Sequence, residues 1–327
     1  MSEARRTALA ARDGDALFDL EQLALIAVEG ADAETFLQGQ LTNDVRQVNA
    51  THAQLSAWCS PKGRVLSTFL LFRHDDRLML QLPMTLLETT LARMRLFVLR
   101  ANVRLEDTSA SLTRLGLVGA QAEACLAACC GPLPGAVGET RCTEDATIIR
   151  LHGQRPRYEV VASPDAGMAL KKSLDRVAVS AGADVWQLLD IEAGVADIGP
   201  ATSDHFVPQM INLDRIGGVS FTKGCYVGQE IVARTQHLGR IKRRMYRAHR
   251  DGGPSVDAGD TLAATADSAS PAVQVVNAQA APAGGYELLV VMPIEAARGI
   301  GDSGIVLDDG SRLTLQAMPY ALEDEMA

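Results

Sequence analysis

Two stretches of this chain repeat one order of elements, strand–helix–strands–helix, and that order restricts the fold more than composition does. In the first, residues 23–28 have the length and apolar content of a strand. Asp32 then stands where it can cap a helix over Ala33–Gln38, ended by Gly39. Residues 55–59, 65–72 and 78–82 read as three consecutive strands, with turn residues at Pro61-Lys-Gly63 and His74-Asp-Asp76. Residues 84–99 read as an amphipathic helix with Leu87, Leu91, Met94 and Val98 on one face, and 103–105 as a short strand. The second stretch gives a strand at 115–118, a helix over Ala120–Cys130 and a Gly/Pro-marked loop at 131–140. Strands at 148–151 and 158–162 follow, then a helix at 164–181 with proline at its start. Two such passes predict an α+β protein with two ferredoxin-like units. About 20 polar, alanine-rich residues form a loose lead-in before them. After Arg250 the texture changes to Ala, Gly, Pro, Ser and Asp over 252–283, with strands at 286–291 and 312–317, which predicts a small C-terminal β-barrel.

A chain of 327 residues is long enough for two or three domains. Lys plus Arg number 31 against 40 Asp plus Glu, a net charge of −9, which argues against a dedicated nucleic-acid binder. No apolar run approaches the ~20 residues that span a bilayer. The six cysteines form no secreted-type framework, and reduced thiols in the cytoplasm are the natural reading. Cys125, Cys129 and Cys130 show no C-x-x-C pair and no histidine at finger spacing, so no metal ligand set is expected. Gly299-Ile-Gly-Asp-Ser-Gly304 fits G-x-G-x-x-G, but its continuation reads as strand and turn, not helix, so it is taken as barrel loops.

The densest polar segment runs from Phe221 to Arg234. It gathers Lys223, Cys225, Tyr226, Gln229, Glu230 and Arg234 around Gly224 and Gly228, a pattern unlike a core segment. A thiol becomes reactive as the thiolate, which a nearby cation or helix N-terminus favours. Lys223 and a helix expected over 228–236 both lie close to Cys225 in sequence; a small buried thiol is the plain alternative. From Ser220 to Arg250 there are eight Lys/Arg and one Glu, read either as a solvated stripe or as an attraction for an anion.

The motif Lys223-Gly-Cys-Tyr-Val-Gly-Gln-Glu230, followed by Ala233-Arg234, resembles the signature of the YgfZ family, folate-binding relatives of the glycine-cleavage T-protein. Phe206-Val-Pro-Gln-Met-Ile-Asn212, Trp186 with Ile191-Glu-Ala-Gly194, Gln38-Gly-Gln-Leu-Thr-Asn-Asp44 and Lys62-Gly-Arg64 resemble its shorter motifs, in order. The resemblance implies a T-protein-like arrangement of two α+β units and a C-terminal β-barrel. The expected division is a folate-binding region over 1–245, made of 1–50 with 112–245 and of 51–111, and a barrel over 246–327. It implies tetrahydrofolate, or a one-carbon derivative, as cofactor. Trp186, Glu192, Asn43, Arg64, Gln209, Asn212, Tyr226, Gln229, Glu230 and Arg234 are then folate-site residues, and Cys225 with Lys223 the reactive pair. It also implies a role in assembly or repair of iron–sulfur enzymes, including tRNA-modifying ones, with those proteins as partners and no stable nucleic-acid complex. The T-protein's catalytic aspartate has no counterpart here, since no carboxylate lies between Pro61 and Arg73, so aminomethyltransferase activity is not expected. Such a transferase, and a non-catalytic RNA- or protein-binding scaffold, are the alternatives.

Overall fold

The computed structural model describes residues 9–237, 239, 241–264 and 272–322. Three sheets carry the fold. The first is five-stranded, in the order Gln54–Cys59, Val65–His74, Arg77–Pro83, Leu23–Glu29, Arg104–Asp107, and antiparallel throughout. Its hairpins follow from the turn residues: Asp75 and Asp76 both take positive φ, and Gly63 has φ +67. The second is six-stranded, in the order Val179–Ala181, Ala16–Asp19, Thr113–Val118, Arg157–Ala162, Ala146–Leu151, Thr140–Cys142. Only its first pair is parallel. The two sheets face one another through Leu25, Ala27, Phe72 and Met79 on one side and Ile149 and Val161 on the other. Their helices bury the opposite faces, as with Leu126, Leu170 and Leu174 against Leu115, Leu117 and Val160.

The third sheet orders Thr261–Leu262, Val273–Ala280, Tyr286–Pro293, Arg243–Arg250, Arg312–Gln316, Ile305–Val306. Among the described residues one isolated bridge, Ala264 to Leu307, links the two edges of this sheet, so the expected barrel is a curled sheet. A shared core of Ala57, Val65, Ile198, Phe206, Met245 and Val291 fastens this sheet to the rest.

Several local expectations change. Leu23–Glu29 was grouped with 112–245, yet it pairs with Arg77–Pro83 and Arg104–Asp107 in the other sheet. Part of the loose lead-in, residues 1–8, lies outside the described residues, but Ala16–Asp19 is a central strand. The helix expected over 84–99 begins as a 3-10 turn and ends at Arg95, with Leu99 at φ +49. The helix expected over 164–181 ends at Leu174, and Val179–Ala181 becomes an edge strand. Asp32 does not cap its own helix; its carboxylate accepts the Asn102 amide instead. Arg243–Arg250, read only as a basic cluster, is a sheet strand. There Arg244 meets Asp214, Arg247 meets Gln316 and Arg250 meets Ser311, so these guanidinium groups are spent inside the fold and not on an external anion. No helix among the described residues is long and apolar enough to cross a membrane.

Candidate functional site

A cavity of about 520 Å³ lies between the two α+β sheets. Leu70, Gln81 and Leu82 line it from the first sheet, Arg150, Leu151 and Glu159 from the second, and Asp197, Leu213, Arg215, Ile216 and Gly217 from the segment that leads to the barrel. A space of this size suits one small organic molecule.

Its polar floor comes from residues far apart in sequence. Glu159 sits in the fully buried strand Arg157–Ala162, and Gln81 Nε2 donates to its Oε2 at 2.9 Å. Glu159 Oε1, Gln81 Oε1 and Gln54 Oε1 are buried without a protein partner, and all three residues line the cavity. Buried polar atoms are normally bonded, so three orphaned acceptors on one cavity call for donors from what fills it, a ligand or water. Burial pushes the Glu159 carboxyl up to about 7. Asp197, also on the cavity, is pushed up to about 7 by burial and then by the nearby Asp190. Asp190 is raised by burial, against the pull of Arg157, whose Nη2 donates to it at 2.8 Å.

Trp186 is on the cavity wall. Arg157 Cζ lies 4.1 Å from its ring centroid, covering one face, and Phe18 packs at 5.0 Å in a tilted arrangement. Gly116 makes room for the indole: a Cβ there would lie 2.4 Å from Trp186 Cζ3. Asn43 lines the cavity too, but its amide is engaged, donating to Leu55 O and Gly217 O and accepting from the Asp44 amide.

The other expected folate residues lie elsewhere. Glu192 accepts Arg12 Nε at 2.7 Å, away from the cavity lining. Arg64 is exposed on a hairpin and donates to His205 O. Gln209 Nε2 donates to Val232 O, bracing the helix Gln229–His237. Asn212, at φ +57, donates to Met245 O and to the Tyr320 hydroxyl, tying that segment to the barrel. Tyr226, Gln229, Glu230 and Arg234 do not line the cavity, and Glu230 and Arg234 are exposed on their helix.

Cys225 is exposed, and none of its motif lines the cavity. Lys223 does not serve it as a cationic neighbour. Its buried Nζ donates to Gln38 O, Leu41 O and Asn43 O at 2.7–2.8 Å, which uses all three ammonium protons, and it lies 5.2 Å from the Tyr226 ring centroid. Burial lowers its pKa to about 8. Lys223 is thus the staple that fixes the thiol loop to the back of the segment whose Asn43 side chain faces the cavity. A second fastening is a close approach of two glycines. A Cβ on Gly228 would lie 2.5 Å from Ser60 O and 3.0 Å from Gly63 Cα, and one on Gly63 would meet Ile231 Cβ at 2.8 Å. The Lys62-Gly-Arg64 and Cys225 motifs are therefore two halves of one contact. No group of three or more His, Cys, Asp or Glu side chains able to hold a metal ion occurs among the described residues.

Sequence reasoning missed Glu159, Asp190, Asp197, Gln54, Gln81, Arg150, His52 and His152, all on the cavity. One signal existed: a glutamate within Tyr158-Glu-Val-Val161 is a charge in a strand too apolar to be exposed, and buried charges need a reason.

Residues 2–136 match the GCVT N-terminal domain family. The fold superposes on the glycine cleavage system aminomethyltransferase T from Bartonella henselae with a TM-score of 0.74 over 97% of this chain and 89% of that one; at 18% identity the likeness is one of fold. Proteins named tRNA-modifying protein YgfZ are similar at sequence level. The one from Colwellia psychrerythraea is 33% identical over 70% of both chains, that from Hamiltonella defensa 36% over 69% of this chain and 68% of its own, and that from Klebsiella pneumoniae 31% over 94% of both. Identity at this level over more than two thirds of each partner, on a T-protein fold, means that the chain belongs to the YgfZ family.

Proposed function

We propose that this protein binds a reduced folate in the central cavity and supports the assembly or repair of iron–sulfur enzymes, tRNA-modifying ones included, through the separate thiol of Cys225. The observation that carries the folate part is the orphaned acceptor set, Glu159 Oε1, Gln81 Oε1 and Gln54 Oε1, beside Trp186. A pterin presents ring N–H and amino donors along one edge of a flat face. The acceptors take that edge, and Trp186 borders the ring. The glutamate end of the ligand lies toward His52, Arg150 and His152, the cationic and imidazole groups of the lining. When bound, a reduced folate supplies one-carbon chemistry; the residues of this chain bind it, orient it and hold a proton at Glu159 or Asp197.

Cys225 belongs to a different surface. Its exposure, and the absence of its motif from the cavity lining, favour a thiol that meets a macromolecular partner over one that attacks the bound folate. The family name and the T-protein fold support the setting, not the thiol's chemistry. A second reading draws on Asp197, a cavity carboxyl near neutrality that suits proton transfer, and makes the chain a folate-dependent one-carbon transferase. Formation of methylenetetrahydrofolate in a reconstituted glycine-cleavage assay would select that reading.

The deciding experiment is calorimetric titration with tetrahydrofolate. Wild type binds saturably, and Trp186→Ala weakens binding by about tenfold or more. Cys225→Ser leaves binding and melting temperature unchanged but fails to complement cells that lack their own copy. If wild type does not bind, the folate reading is lost; if the serine variant complements fully, the thiol reading is lost.

A further inference from the structure

We infer that residues 93–100 form a docking surface for an acidic, amphipathic segment of a partner protein, on a ridge joined through Trp58 and residues 38–41 to the Cys225 loop. The helix Leu87–Arg95 ends there and the chain turns outward. Leu96 is 73% exposed, Phe97 44% and Leu99 88%. Three exposed large apolar side chains within four residues, with half-buried Val98 among them, are the mark of an interaction site and not of scattered surface leucines. Leu99 also sits at φ +49, in the left-handed region that costs a branched side chain on the order of 1 kcal/mol. Asparagine or glycine would sit there unstrained, yet the backbone is held so as to present a leucine to water.

Charge decides the partner. Between Leu91 and Val103 the sequence has Arg93, Arg95 and Arg100 and no Asp or Glu, within a chain of net charge −9. Two of these are fixed in place. Arg93 lies 5.3 Å from the Trp58 ring centroid, and Arg95 Nη2 donates to Leu105 O at 2.7 Å. The complement of leucines ringed by fixed arginines is an apolar ridge flanked by carboxylates. Nucleic acid fits less well, because Leu96 and Leu99 offer a base neither a stacking face nor a hydrogen bond.

The surface is one chain segment away from the thiol. Phe97 packs edge-on against Trp58 at 6.1 Å. Trp58 bridges to Leu41, and its Nε1 donates to Gln40 Oε1. The other side of residues 38–41 receives Lys223 Nζ at Gln38 O and Leu41 O and the Val227 amide at Gly39 O. The ridge at Leu96 and Leu99 and the Cys225 loop are thus both fastened, through Phe97 and Trp58 on one hand and Lys223 and Val227 on the other, to residues 38–41. The inference shares with the proposed function only the role of Cys225, and folate titration of the same variants separates the failure of one from the failure of the other.

The test is fluorescence anisotropy with a labelled synthetic helical peptide that carries Leu and Phe on one face and Glu and Asp on its flanks. Comparators are the same peptide with Lys in place of Glu and Asp, and a 20-nucleotide single-stranded RNA. Wild type binds the acidic peptide saturably, more weakly as salt rises, and about tenfold more tightly than the lysine peptide. The pair Leu96→Asp and Leu99→Asp lowers that affinity about tenfold or more, with folate binding and melting temperature unchanged. Leu99→Asn alone raises the melting temperature by relieving the backbone while weakening the peptide, a combination a purely structural leucine does not give. No binding of the acidic peptide at ~1 mM, tighter binding of the lysine peptide or the RNA, or a concentration-dependent dimer abolished by the double substitution each overturns the inference.

Discussion

Glu159 is the side chain on which the cavity's chemistry turns. Its carboxyl is raised to about 7 by burial, so it carries a proton in mildly acid solution and loses it across neutrality. The folded protein then holds a proton that the unfolded chain releases, and the stability this group contributes falls as pH rises from the ordinary carboxylate range through about 7. Ligand binding runs the other way. A ligand N–H bonds more strongly to the ionised carboxylate than to the protonated acid, so tetrahydrofolate affinity should rise several-fold between about pH 6 and 8, and Glu159→Gln should flatten that rise. Calorimetry across the range checks it, and an equal slope in the variant would assign the titration to another group, with Asp197 first in line. At this scale the sequence exposed the thiol motif but misjudged its lysine. Proximity along the chain put Lys223 beside Cys225; the fold turns its ammonium onto three backbone carbonyls. Hydrogen-bond partners of a buried cation are set by whatever backbone surrounds it, which no spacing rule supplies.

The elements were legible where their periods are simple. Ala120–Cys130 and Ala33–Gln38 are helices as expected, and Gln54–Cys59, Val65–His74 and Arg77–Pro83 form the expected meander, because apolar spacing and turn residues act over a few positions. Arg243–Arg250 was illegible because its charges mask a strand buried on both faces, in which Arg244, Arg247 and Arg250 are buried where partners from Asp214, Gln316 and Ser311 arrive. The contact between the Ser60–Arg64 turn and the start of the helix Gln229–His237 belongs to this scale as well. Gly228, at φ +83, leaves no room for a methyl group against Ser60 O. Gly228→Ala should therefore cost about 2 kcal/mol or more, read as a lower denaturation midpoint, and should shift the Cys225 loop. Gly224→Ala, where nothing lies within 4 Å of the added methyl, should be nearly silent. If both substitutions were equally mild, the close packing of the two motifs would not be what holds the loop.

At the level of the whole molecule, cavity and thiol are separate stations. The cavity draws on residues from Leu23 to Gly217 and includes none of the six cysteines. Alkylating the exposed thiols with N-ethylmaleimide should leave tetrahydrofolate affinity within about twofold. A large loss, reversed by Cys225→Ser, would mean that the thiol loop and the cavity are coupled. The sequence by itself determined the α+β class, most of the strands and helices between Leu23 and Leu174, the family motif and the glycines its loop requires. All of these rest on propensities, periods and backbone freedoms expressed within a few residues. Only the tertiary structure decided that Glu159, Gln81 and Gln54 line one cavity and that Cys225 is exposed away from it. It alone showed that Glu192, Arg64, Gln209 and Asn212 brace the fold instead of lining the cavity. A polar side chain acquires its role from the partner it meets, and in this chain those partners lie tens to hundreds of residues away, brought together only when the sheets pack.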